Sequence, residues 1–95
     1  MSLPRRALGE RLASSHGYLV VCRDGMCGAV ETPLFPADSA EPDYLIVRLA
    51  SRVRRALPIV PVALVESVDV EREVVYVAAT RHELAAFPQH LPVAR

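Results

Sequence analysis

The sequence predicts an all-β fold: a small closed or partly open barrel of about five to six short, mostly antiparallel strands, with a short C-terminal helix. Three observations predict it. From Tyr18 onward, short runs rich in Val, Leu and Tyr alternate with turn-forming residues. Edges so rich in Val and Leu would invite aggregation if left open, so closure or near-closure is expected. Near the C-terminus, "ATRHELAAFP" carries Thr80 followed three residues later by Glu83, the signature of a helix capping box.

With 95 residues, 52% of them hydrophobic, the chain suits one domain near the lower limit for a core without staples. Residues 1–16 read as an N-terminal extension with helical character, and residues 17–95 as the single barrel domain. Pro4 suits a first helical turn, Leu8 and Leu12 lie one turn apart, and Gly17 ends the pattern.

The strands follow in order. "GYLVVC" is rich in β-formers, "RDGM" signals a hairpin and "CGAVE" resumes the extended run. "TPLFPADSAEPD", with Pro33, Pro36 and Pro42, reads as a surface connection. "DYLIVRLA" supplies a strand from Tyr44 to Leu49, "SRVRRA" interrupts, and "LPIVP" reads as a short edge-like strand, because each proline removes a ladder donor. "VALVESVDV" and "EVVYVAA" pair as a hairpin around Glu71–Arg72. Simple alternation there would put Val62, Leu64, Val68 and Val70 on one face, with Val74 and Tyr76 opposite them. In the final helix Ala79 and Leu84 could form a hydrophobic staple, and Pro88 stops the helix after about two turns.

Composition excludes several function classes. Acids and bases balance at eleven each, so no overall field draws in nucleic acid or an anionic membrane. Every base is arginine, which removes a Schiff-base or phosphate-loop lysine. The longest apolar run, Ala56 to Val65, is too short to span a bilayer and contains two prolines. The first residues lack the apolar core of a secretory peptide, so a cytoplasmic location is expected. Asp69, Glu71 and Glu73 fall at a turn, Ser14, Ser15 and His16 adjoin one another without a nucleophile elbow, and His82 opens a helix. None of these forms a catalytic constellation, so no enzymatic activity and no cofactor are expected.

Cys22 and Cys27 are the only cysteines. If Asp24–Gly25 is the two-residue turn, Arg23 faces Met26 and Cys22 lies directly across from Cys27. Cα atoms in such a pair approach to roughly 4.5 Å, within disulfide range. A bulge at Gly28 would shift that register by one. Three readings stay open for this cross-strand thiol pair: reduced thiols acting as small hydrophobes, a disulfide, or a metal site. The third needs more ligands, and His16, His82 and His90 show no zinc-motif spacing.

Charge is segregated along the chain. Glu31, Asp38, Glu41 and Asp43 fall in a stretch without a base, and Arg48, Arg52, Arg54 and Arg55 in one without an acid. Against a reading as two solvated loop faces stands a functional one: an arginine patch for an acidic partner or RNA, or complementary patches for self-association. No aromatics are interleaved with the arginines, so stacking on single strands is not supported.

The order of "GYLVVCRDGMCGAVE", a proline- and acid-rich loop, "DYLIVR" and "LPIVPVALVESVDVEREVVYVAATRHELAAFP" resembles the PRC-barrel family. That family has an early strand, a turn, a glycine-centred second strand (here "MCGAV", with Gly28) and a central "LIV" strand. A "P-x-x-x-V" step follows, here Pro61 to Val65, then a "VDV"-like hairpin and a closing strand. The resemblance covers roughly residues 17 to 90 and rests on hydrophobic pattern. Cys27 departs from it, since a branched aliphatic residue more often precedes the glycine. The resemblance implies a small β-barrel, related to those of the photosynthetic reaction-centre H subunit and the ribosome maturation factor's C-terminal domain. It brings no catalytic motif. The expected function is a non-enzymatic adaptor or assembly module of a bacterial cytoplasm, binding a protein partner or its own copy. The alternative is an RNA- or ribosome-associated factor acting through the arginine patch. Neither a small-molecule substrate nor a membrane span is expected.

Overall fold

A computed structural model describes residues 5–50 and 56–89. In chain order these form helix α1 (Arg5–Leu12), strands β1 (Leu19–Cys22), β2 (Gly25–Leu34), β3 (Tyr44–Leu49) and β4 (Ile59–Pro61), a single 3-10 turn (Val62–Leu64), strands β5 (Val65–Asp69) and β6 (Val74–Val77), and helix α2 (Arg81–Ala85). The strands make one six-stranded sheet, ordered β4-β3-β2-β1-β6-β5, curled into a half-barrel. Every neighbouring pair is antiparallel except β1 and β6. The predicted fold class holds, as a partly open barrel. β4 is an edge strand, as Pro58 just before it and Pro61 at its end lead one to expect.

The 3-10 turn carries the chain from one sheet edge to the other. The Val62 amide donates to the Asp43 carbonyl at 3.0 Å, and the Ala78 amide to the Leu64 carbonyl at 2.8 Å. Inside the curl lies one apolar core that includes Val20, Val30, Leu45, Val47, Val60, Val75 and Val77, closed by Leu84 of α2. Leu8 and Leu12 of α1 belong to that same core, so the helix is an integral part of the domain's packing. Gly17, at φ +83°, turns the chain from this helix into β1.

Two expectations need correction. β2 runs on through Thr32, Pro33 and Leu34, which pair with Ile46, Leu45 and Tyr44 of β3. The proline is tolerated because β1 ends its pairing at Ala29, leaving that end of β2 with a neighbour on one side only. The simple alternation expected for β5 and β6 also fails. A bulge between Val65 and Ser67 resets it, so Val65 and Val68 point into the core, as do Val75 and Val77. Val70 lies exposed in the turn, Tyr76 is half-buried, and Val62 and Leu64 belong to the 3-10 turn. The turn itself is centred as predicted: Asp69 Oδ1 accepts from the Arg72 amide at 3.0 Å, and Glu73 takes φ +58°.

α2 shows both arms of the capping box. Thr80 Oγ1 accepts from the Glu83 amide at 3.1 Å, and Glu83 Oε1 accepts from the Thr80 amide at 2.8 Å. These bonds hold the Glu83 carboxyl below its ordinary pKa. Ala79 and Leu84, the two staple residues, are both buried. The helix is shorter than expected, five residues, with Ala86 as its C-cap.

Gly28 pairs with Leu49 of β3 at a point where the two backbones crowd together: a Cβ there would collide with the Arg48 carbonyl. Gly28→Ala is expected to lower stability by about 1–3 kcal/mol, towards the upper end because backbone, not a flexible side chain, is in the way. Thr80→Ala should cost about 1 kcal/mol. Urea unfolding checks both, with the midpoint moving and the slope preserved.

Candidate functional site

The β1–β2 hairpin tip differs from the expected one by one residue. Cys22 pairs with Gly25, so the turn sits on Arg23–Asp24 and not on Asp24–Gly25. Gly25 takes φ +118°, the conformation that lets a chain re-enter a strand after such a turn. Further along, Val21 faces Met26 but Val20 faces Gly28. Cys27 is therefore the extra residue of a bulge, next to the glycine where one was anticipated.

This register places Cys22 and Cys27 diagonally rather than directly opposite. Both side chains are buried in the core and both thiols are free. Cys27 Sγ donates to the Val20 carbonyl at 3.5 Å. Burial pushes the Cys27 thiol up to about 12, and the nearby Cys22 thiol pushes the same way. Burial also raises Cys22, partly offset by Cys27. These are the properties of small hydrophobes, not of poised nucleophiles.

The tip above them is latched to α2. The Arg81 amide donates to Asp24 Oδ1 at 3.0 Å, Arg81 Nη2 donates to the Met26 carbonyl at 3.2 Å, and the Arg23 amide donates to the Ala79 carbonyl at 2.9 Å. His16 and His82 are exposed. Among the described residues no group of three or more His, Cys, Asp or Glu side chains is arranged to hold a metal; His90 lies outside them.

Of the predicted arginine patch, Arg48 is described and Arg52, Arg54 and Arg55 lie outside the described residues. Arg48 Nη1 sits 2.6 Å from Glu31 Oε1 on the neighbouring strand. One residue from each charge block thus meets the other across β2 and β3, and Arg48 is partly neutralised in an exposed ion pair.

An apolar groove runs along β4. Leu34, Tyr44, Ile59, Pro61, Phe87 and Pro88 line about 550 Å³ of open space. Tyr44 pairs with both Leu34 and Pro61, so the groove crosses three strands. Its far wall is the chain after α2. There the Ile59 amide donates to the Pro88 carbonyl at 2.7 Å, Pro58 bridges to Gln89, and the Leu57 amide donates to Gln89 Oε1 at 2.8 Å. "LPIVP" was legible as an edge; the arrival of Phe87–Gln89 beside it has no local sequence signal. Phe35, next to Leu34, is 46% exposed and Tyr44 42%.

Compared with models of known protein families and with curated protein sequences, the chain matches none of them.

The thiols give a direct check on the core. Alkylation at pH 8 should run about a hundredfold or more slower in the folded protein than in denaturant, because each thiol must first be uncovered. Since Cys27 ionises only near 12 when folded, against 9.0 for an ordinary thiol, its contribution is full below about pH 9 and lost as pH rises towards 12. Stability should therefore fall across that alkaline range, and Cys27→Ala should flatten the fall.

Proposed function

We propose that this chain is a non-enzymatic protein-interaction module, an adaptor or assembly domain of PRC-barrel type. The observation that carries the reading is the apolar groove, whose aromatic and proline side chains remain open to solvent beside an edge strand. Exposed apolar surface of this kind marks contact sites more often than it marks chance. The inside of the curl supports the same reading. Val20, Leu45, Val47, Val60, Val75 and Leu84 fill it with no measurable exposure, which leaves binding to the outer surface. A small, partly open β-barrel is also the kind of fold that the family resemblance implies.

The reading includes a cytoplasmic location. No described helix is long and apolar enough to cross a membrane. Association with RNA through Arg48, Arg52, Arg54 and Arg55 has weaker support, because Arg48 is already engaged by Glu31.

Affinity capture from native extract, with half the sample treated with nuclease, tests the proposal. The expected result is one protein retained in both halves at stoichiometric yield, or the chain's own copy. Retention that disappears with nuclease, or falls steeply with salt in the presence of RNA, would replace the adaptor with an RNA-binding factor. Retention of nothing by a folded, monomeric sample would contradict both.

A further inference from the structure

We infer that the groove along β4 receives a segment of a partner protein that presents an aliphatic or aromatic side chain beside arginine or lysine. This rests on the interaction-module reading and narrows it to one surface and one chemistry.

The lining sets the apolar half of the requirement. Leu34, Tyr44, Ile59, Pro61, Phe87 and Pro88 include no charged side chain, so the inserted group must be one that gains by leaving water. Strand addition, the other common way to use an edge, is blocked. Along β4 the outward backbone donor of Ile59 is already given to Pro88, and Pro61 has none to give. Recognition therefore falls to side chains entering the groove.

The rim sets the basic half. Asp43 is pinned between two sides of the groove: its amide donates to the Leu34 carbonyl at 3.0 Å, and its carbonyl accepts from Val62, next to Pro61, at 3.0 Å. Asp43 and Asp38 are exposed, and neither carboxylate has an ion-pair partner among the described residues. The other two acids of this stretch are differently placed. Glu31 is neutralised by Arg48, and the Glu41 side chain lies against Gly9 of α1. No base occurs between Glu31 and Val47, and Asp43, next to Tyr44 in the chain, brings to the groove's edge a carboxylate without an ion-pair partner among the described residues. Complementary charge at the rim steers encounter and rejects like-charged partners. A two-fold pairing of copies through this groove would set acidic rim against acidic rim, which argues for a different molecule as the occupant.

The test is selection of a random dodecapeptide display library on the immobilised full-length protein, followed by anisotropy measurements on the selected peptides. Peptides pairing an apolar or aromatic residue with adjacent Arg or Lys should be enriched. Their binding should weaken about tenfold or more with Tyr44→Asp, and about three- to tenfold with Asp43→Lys or in high salt. Met26→Glu, on the β1–β2 surface away from the groove, should change nothing. Phe35→Ser, at an exposed position, supplies a second rim variant, and circular dichroism verifies the fold of each. The inference is overturned if no peptide is enriched, if the enriched peptides are acidic or lack a base, or if binding ignores Tyr44→Asp and Asp43→Lys. It is equally overturned if the protein proves to be a dimer that Tyr44→Asp dissolves, since the occupant is then a second copy. A client that the Tyr44→Asp protein still captures from extract would remove this inference and leave the interaction-module reading standing.

Discussion

The close approach of β2 to β3 at Gly28 is the constraint on which the rest of the structure depends. There is no room for a Cβ between Gly28 and the Arg48 carbonyl. Beside this contact sits Cys27, the extra residue of the bulge. A bulge next to a glycine bends and twists the strand that carries it. With β2 bent, the sheet curls far enough for one 3-10 turn to join edge strand β4 to edge strand β5. The core inside is then shared by α1, six strands and α2.

The same bend accounts for the placement of several side chains. It turns Cys27 inward beside Cys22, where burial keeps both thiols protonated. It brings Glu31 and Arg48 onto adjoining strands, where the two pair. At the other end of β2 and β3, Leu34 and Tyr44 meet β4 beside Asp43, whose carboxylate has no ion-pair partner among the described residues. An apolar groove with Asp43 at its edge results there.

Much of this was legible in the residues. The alternation of short apolar runs and turns predicted an all-β, closed or partly open barrel, Pro58 and Pro61 marked an edge, and Thr80 with Glu83 marked a capped helix. Those signals are local, and local physics decided them. The misses are of another kind. The turn at Arg23–Asp24 and the bulge at Cys27 both turn on one-residue choices, which change which side chains face inward without altering composition. Pro33 read as a break because nothing nearby shows that its strand has only one neighbour there. The groove needs Phe87 and Pro88 beside Ile59, and the Ile59–Pro88 contact is set by tertiary packing between residues 29 positions apart in the chain. The parallel pairing of β1 with β6 is likewise non-local.

Cross-strand nuclear Overhauser contacts between α protons and amides of β1 and β2 test the central claim most directly. The bulged register predicts backbone contacts pairing Val20 with Gly28 and Val21 with Met26, with Cys22 opposite Gly25. Direct α-proton contact between Cys22 and Cys27, together with Arg23 opposite Met26, would mean an unbulged hairpin. That result would remove the bend from which the curl, the buried thiols and the placement of the groove all follow.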